Sequence, residues 1–280
     1  MAANTGRRVF GAFMTGATYG AAVLAILPLA MILAMLIVKG AGSIDWNFFV
    51  KSAVPLGEPG GGFANAIVGT LIIVGLACVI GVPVGIGAGI YLAEFGGGPV
   101  GWTVRFVADT MNGIPSIVIG IFAWTWIVKP SGHFSALAGS VALAVILIPI
   151  VARTTEEMVR LVPNSLREAA LALGYQRWRT SLTVVVRTAG TGIITGCLVA
   201  IARVSGETAP LIFTTLGNQF FSTRILEPMQ ALPLQIYVYA TGPYEEWHRQ
   251  AWAGALVLIV LVLSLGVIAR VVTRRRQASA

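Results

Sequence analysis

The sequence predicts an all-α integral membrane protein that crosses the bilayer six times. Three observations carry this expectation. Hydrophobic residues make up 56% of the 280 positions and charged residues only 11%, with a mean hydropathy of +0.84. A soluble domain carries roughly 25% charged residues, so this chain cannot solvate its own surface and lipid is its solvent. Six apolar stretches of spanning length recur along it, and Lys and Arg crowd into alternate loops between them.

The first span is predicted over Thr18–Val38. Its 21 residues extend roughly 31 Å at about 1.5 Å per residue, enough for a hydrocarbon core of about 30 Å. Arg7-Arg8-Val9-Phe10 precedes it and faintly resembles a twin-arginine signal. The apolar run outlasts a signal-peptide core, which favours an uncleaved span. Residues 40–62 read as a polar loop with Pro55, Pro59 and three consecutive glycines. The second span is Ala64–Leu92, where Gly81, Gly85 and Gly89 recur at four-residue spacing, a pattern that lets helices approach closely in lipid. The run Gly85-Ile-Gly87-Ala-Gly89 has neither the spacing nor the preceding strand of a dinucleotide loop.

A Gly-rich connection is expected over Glu94–Thr110, and a third span over Met111–Val128. Pro115 lies near its start, and Trp124 and Trp126 lie near its end, where the interfacial belt places aromatics. The fourth span is Ser135–Ala152. An Arg-rich loop, 153–188, follows. Ala189–Val204 opens a fifth span, interrupted by Arg203 and Glu207 and resumed to Leu216. Residues 218–249 are polar with scattered aromatics. Ala251–Val272 is the sixth span, closed by Arg274, Arg275 and Arg276. The expected organisation is a short cytoplasmic segment over 1–17, one membrane domain over 18–273 and a basic tail over 274–280.

Charge sets the topology. With the N-terminus in the cytoplasm, thirteen of the nineteen Lys and Arg fall inside, five outside and Arg203 within the membrane. That is a positive-inside bias, and the opposite orientation inverts it. The net charge of +8 therefore records loops on the cytoplasmic side, and no nucleic-acid partner is expected. Cys78 and Cys197 both lie in apolar runs, where two thiols make neither a disulfide framework nor a metal site.

Within the 153–188 loop, Pro163-Asn164-Ser165 is a helix start, since proline suits the first turn and Asn or Ser caps free amides. Arg167–Leu173 is strongly helix-forming, and Gly174 is a natural stop. A short, stiff cytoplasmic helix results. Two readings of it stand side by side: an amphipathic helix lying on the membrane, or a lever seated in the groove of a soluble partner.

Glu168-Ala169-Ala170-Leu-Ala-Leu173-Gly174 resembles the EAA-xxx-G loop of ABC-importer permeases. The resemblance implies the type I permease fold, with this segment as the coupling helix that docks on an ATPase. Arg167, Glu168, Ala169, Ala170, Leu173 and Gly174 are then the coupling residues. One departure is visible. Where the family pattern continues to Ile-x-Leu-Pro, this chain has Val184-Val-Val-Arg187 and no proline. Arg153-Thr-Thr-Glu-Glu-Met158, Leu161-Val-Pro-Asn-Ser-Leu-Arg-Glu-Ala-Ala170 and Ile201-Ala-Arg-Val-Ser-Gly-Glu-Thr-Ala-Pro-Leu211 further resemble the permease subunits of bacterial phosphate importers. The likeness is densest over residues 150–219.

An arginine at the centre of a membrane helix costs roughly 2.5–3.5 kcal/mol on insertion scales. Arg203 and Glu207, four residues apart, share a helix face. Either they neutralise each other, or Arg203 meets an anion in a water-filled passage. Gly206 and Pro210 beside them signal a broken helix, as at transporter substrate sites. The phosphate-importer resemblance supplies the anion: guanidinium offers charge and a fork of donors matched to phosphate oxygens. The expected pathway residues are Arg203, Glu207, Arg153, Thr208 and Ser205. Glu207 either holds Arg203 in place, the favoured role, or takes the proton of hydrogen phosphate. Arg153 is also what the positive-inside rule alone places at a cytoplasmic helix end.

No Gly-x4-Gly-Lys-Ser/Thr loop occurs, and no residue set suggests membrane-embedded catalysis, so the chain is not expected to be an enzyme. No cofactor is expected on this chain; ATP and Mg belong to partner subunits. The resemblance implies a second, similar permease, two ATPase subunits and an extracytoplasmic phosphate-binding protein. The competing readings are a permease for molybdate or sulfate and a stand-alone secondary transporter.

Overall fold

The computed structural model describes residues 2–54 and 61–278. Pro55, Pro59 and the first of the three consecutive glycines therefore lie outside the described residues. Among the described residues every regular element is helical. In chain order they are α1 (Ala2–Gly40), α2 (Trp46–Val50), α3 (Ala64–Glu94), α4 (Pro99–Gly113), α5 (Ser116–Ser131), α6 (Ala136–Arg160), α7 (Asn164–Ala172), α8 (Arg177–Ser205), α9 (Ala209–Thr214), α10 (Leu232–Thr241) and α11 (Glu245–Ala278). Five of these, α1, α3, α6, α8 and α11, are long and apolar enough to span a bilayer. The pair α4–α5, bent by 105°, is long and apolar enough only when its two helices are taken together.

The core forms around α6, whose buried residues include Ala138, Ala142, Leu143, Leu147 and Val151. α3 crosses it through the predicted glycines. A Cβ placed on Gly81 would lie 3.0 Å from Leu147 Cδ2, one on Gly85 2.7 Å from Val151 Cβ, and one on Gly89 2.5 Å from the Ala152 carbonyl oxygen. With lipid on both sides there is little hydrophobic force between helices, so this backbone approach supplies much of the contact energy. Gly85→Leu is expected to force α3 away from α6 at a cost of roughly 1–3 kcal/mol. Gly87→Leu on the same helix, where an added Cβ meets nothing within 4 Å, is the control. Thermal unfolding in detergent separates the two.

On the side opposite α7, the chain folds back as a cap. Leu216 (φ 58°) and Gly217 (φ 76°) turn it. The Asn65 amide donates to the Asn218 and Gln219 carbonyls at 3.0 and 3.2 Å. The Ala136 and Leu137 amides donate to the Glu227 and Ile225 carbonyls. These bonds pin residues 218–231 across the ends of α3 and α6. A second apolar cluster lies beneath, with Phe48 stacked on Phe63 at 4.8 Å and Tyr239 on Trp247 at 4.8 Å. α1 leans on α11 through Lys39, which lies 5.1 Å over the Trp252 ring, while most of its length is exposed.

Several boundaries differ from the hydropathy reading. Much of the expected 94–110 connection is the helix α4, and the helix within the expected third span, α5, starts at Ser116 after Pro115 bends the chain. α6 runs on to Arg160, and α8 starts at Arg177, so only residues on either side of α7 remain as loop. The reason is that hydropathy marks where lipid ends. A helix outlives that edge, because its backbone hydrogen bonds are internal in water as in oil. α8 carries a π-helical turn at Ser181–Val185 and is α-helical from Val186 on, Arg187 included.

Candidate functional site

α8 ends at Ser205, and α9 restarts at Ala209 with Pro210 in its first turn. Proline lacks an N–H and disfavours helix in the residue before it, which explains the break. Ser205 is buried and its hydroxyl donates to the Ile201 carbonyl at 2.7 Å. Thr208 sits at the start of α9 without a side-chain cap bond.

Arg203 and Glu207 flank this break and line a cleft of about 190 Å³. The bend between α4 and α5 closes one side with Asn112, Pro115 and Ser116; α6 contributes Ile146 and Ile150. At about 30 Å³ per water, the space holds roughly six waters. Among the described residues, neither Arg203 nor Glu207 enters any ion pair. The i, i+4 pair allowed by sequence does not form, because the helix that would align the two residues ends between them. Arg203 is exposed and Glu207 half-buried, so a charge and an acceptor both face the cleft unpaired.

Arg153 is in a different situation. It lies one turn beyond Ile150 on α6, and three carboxylates surround it: Glu156 at 3.2 Å, Glu157 at 3.5 Å and Asp109 of α4 at 3.7 Å. Its charge is already matched. The centre of this cluster is Glu156, which is 0% exposed. Besides Arg153 it receives Arg105 Nε and Arg160 Nη2, both at 2.6 Å. Arg105 also donates to the Gly96 and Leu92 carbonyls at 2.9 and 2.6 Å, closing the end of α3. One buried carboxylate thus fastens α4 to α6 below the cleft.

α7 is the predicted loop helix, and Gly174 ends it at φ +83°, the left-handed conformation that favours glycine. Its start differs from expectation. The Asn164 side chain caps no amide; its Oδ1 accepts from Arg167 Nη1 at 3.2 Å. Glu168 and Ala169 are exposed, Ala170 is buried, and Leu173 is 79% exposed. Leu173, Gly174, Tyr175, Gln176, Trp178 and Arg179 form an open hollow of about 440 Å³, with the Arg179 guanidinium 5.5 Å over the Tyr175 ring. Arg167 turns the other way. Its guanidinium donates to Glu94 Oε1 twice, at 3.0 and 2.8 Å, and to the Val159 and Val162 carbonyls.

The family model described as a binding-protein-dependent transport system inner membrane component matches residues 85–278. A phosphate transport system permease protein PstA from Xylella fastidiosa is 48% identical over 244 residues, 86% of this chain and 85% of that one. The PstA of Haemophilus influenzae is 44% identical over 265 residues, 94% of each chain. The chain belongs to the PstA permease family. A probable PstA from the archaeon Methanocaldococcus jannaschii is 41% identical, covering 87% of this chain and 86% of its own. Among solved structures, a bacterial ABC transporter that imports the acidic polysaccharide alginate aligns with TM-score 0.65 at 14% identity, over 94% of this chain and 96% of that one. The MetNI methionine ABC transporter aligns with TM-score 0.58 at 18% identity, over 86% and 96%. At such identities these two speak for the fold, which is that of the ABC-importer permeases.

In this PstA-family chain the sequence-predicted residues separate into groups. Arg203 and Glu207 share the cleft; Arg153 is tied into a carboxylate cluster; the hydroxyl of Ser205 serves its own helix. Asn112 and Ser116 were missed as cleft residues, and Glu156 as the centre of the basic cluster. Asn112-Gly-Ile-Pro115-Ser116 did carry a signal, since polar residues around a proline mark a bend inside an apolar region. Glu156 carried none, because the two glutamates at 156 and 157 look alike until α4 packs on one of them.

Proposed function

We propose that this chain is a transmembrane permease subunit of an ATP-driven importer that moves inorganic phosphate across the cytoplasmic membrane, with both termini inside. The observation that carries this is the unpaired Arg203 in a cleft at a broken span, in a chain 48% identical to a phosphate permease. An unpaired guanidinium at membrane depth is stable when an anion or water meets it, and its fork fits phosphate oxygens. Glu207, which lines the same cleft, keeps the arginine's field local when no anion is bound. Thr208 adds a hydroxyl at the same break. Arg153, with its charge shared among three carboxylates, serves the cytoplasmic end of the path.

The permease works with a second permease of the same kind, two ATPase subunits that bind ATP and Mg, and an extracytoplasmic phosphate-binding protein. α7 and the hollow beyond Gly174 are the ATPase dock. ATP binding draws the ATPases together, α7 follows, and the cleft changes the side it faces. The complex reconstituted in vesicles is expected to accumulate labelled phosphate only with ATP on the ATPase side, and excess sulfate or molybdate is expected not to compete. Competition by either oxyanion, or uptake without the ATPases, overturns the reading.

The dock makes its own prediction. Glu168→Lys reverses charge on the exposed face of α7. Gly174→Val puts a β-branched residue at φ +83°, a genuine outlier for such a side chain. Each is expected to cut co-purification of the ATPase, or transport per ATP hydrolysed, at least tenfold. Normal values in both variants count against the dock.

A further inference from the structure

Arg167 and Glu94 form a joint at which four elements meet. Glu94 is the last residue of α3, and Arg167 is on α7. One carboxylate oxygen of Glu94 takes both Nε and Nη2 of Arg167, at 3.0 and 2.8 Å. The other accepts from the Ser181 hydroxyl at 2.9 Å, at the π-helical turn in the first part of α8. The remaining Arg167 donors close the end of α6 through the Val159 and Val162 carbonyls, Val159 at 2.9 Å. The two side chains are only 19% and 11% exposed, so this is a shielded pair with nearly every donor and acceptor used, unlike a surface ion pair worth little.

The geometry points to Glu94 as a positioning residue for energy coupling: its carboxylate locks α7 to the ends of α3 and α8, so that a push on α7 reaches Arg203 along a single helix. α8 runs unbroken from Arg177 to Ser205, and at about 1.5 Å per residue it spans roughly 40 Å. Ser181 near one end is held by Glu94; Arg203 near the other lines the cleft. α3 is held against α6 through its three glycines. With the joint made, displacement of α7 has two stiff outlets. Without it, α7 is tied to α6 and α8 only through the short loop segments at its ends, and its motion dissipates locally. Helices and packed cores transmit displacement because they have discrete arrangements and do not deform continuously.

This rests on the phosphate-importer reading, and the test keeps the two apart. In the reconstituted complex, phosphate uptake and ATP hydrolysis are measured together for the unaltered protein, Glu94→Gln, Glu94→Ala and the double variant Glu94→Ala/Arg167→Ala. Glu94→Gln is isosteric and is expected to assemble fully. ATP hydrolysed per phosphate moved is expected to rise at least tenfold in the single variants, and the double variant is expected to be no worse than Glu94→Ala. A second arm replaces Glu94 and Arg167 by cysteine in a chain lacking Cys78 and Cys197, and joins them with a short bifunctional thiol reagent. Restored coupling on tethering supports a mechanical joint. An unchanged ratio in Glu94→Gln, or no recovery on tethering of an assembled complex, overturns it. If the unaltered complex moves no phosphate, the functional reading fails instead.

Discussion

Arg203→Ala is expected to reduce phosphate uptake by roughly a hundredfold while leaving ATPase co-purification intact. The size follows from what the side chain offers. A guanidinium meeting phosphate makes charge-assisted hydrogen bonds worth roughly 1.5–3 kcal/mol each, and two at the low end give about two decades at about 1.4 kcal/mol per decade. The loss is confined to transport because Arg203 fastens nothing: it enters none of the ion pairs among the described residues and is exposed. Arg203→Lys keeps the charge and loses the fork, so its uptake should fall between the two. Labelled-phosphate uptake by vesicles of equal permease content is the measurement. Full uptake in Arg203→Ala removes the arginine from the mechanism.

Glu156→Ala has a comparable effect of a different kind, on the fold. Glu156 is the shared partner of Arg105, Arg153 and Arg160, and it is 0% exposed. Removing one partner of a buried ion pair costs about 3–5 kcal/mol. The three guanidiniums retain 25%, 40% and 53% exposure, so water takes part of their charge and the low end of that range applies. In a chain of this size the expected drop in the thermal midpoint is on the order of 10 °C, with α4 released from α6. Glu156→Gln keeps the shape without the charge and should lose less. Glu157→Ala, whose side chain is 57% exposed, should change the midpoint little. Equal midpoints for Glu156→Ala and Glu157→Ala would dismiss the buried hub.

The cleft and the loop helix α7 were legible to different depths. The loop helix α7 was nearly complete in the sequence, because a local run of good helix formers between Pro163 and Gly174 needs no tertiary help to be recognised. Arg167 was legible as part of that helix and not as an inward brace, since its direction depends on where Glu94 sits, 73 residues earlier. Arg203 stood out because charge is costly in lipid. Its freedom from Glu207 did not, because four-residue spacing implies a shared face only while the helix continues.

The amino-acid order alone determined a lipid-solvated helical protein, its crossings, the uneven arginines and the loop helix. These follow from local quantities: hydropathy over a bilayer's thickness, the helical repeat and a glycine stop. Folding in three dimensions decided which carboxylate each guanidinium meets. Arg105 and Arg153 reach Glu156, Arg167 reaches Glu94, and Arg203 is left facing the cleft. Ion pairing acts over a few ångströms, while its partners here stand up to 73 residues apart, so only the packing of α3, α4 and α6 could assign them.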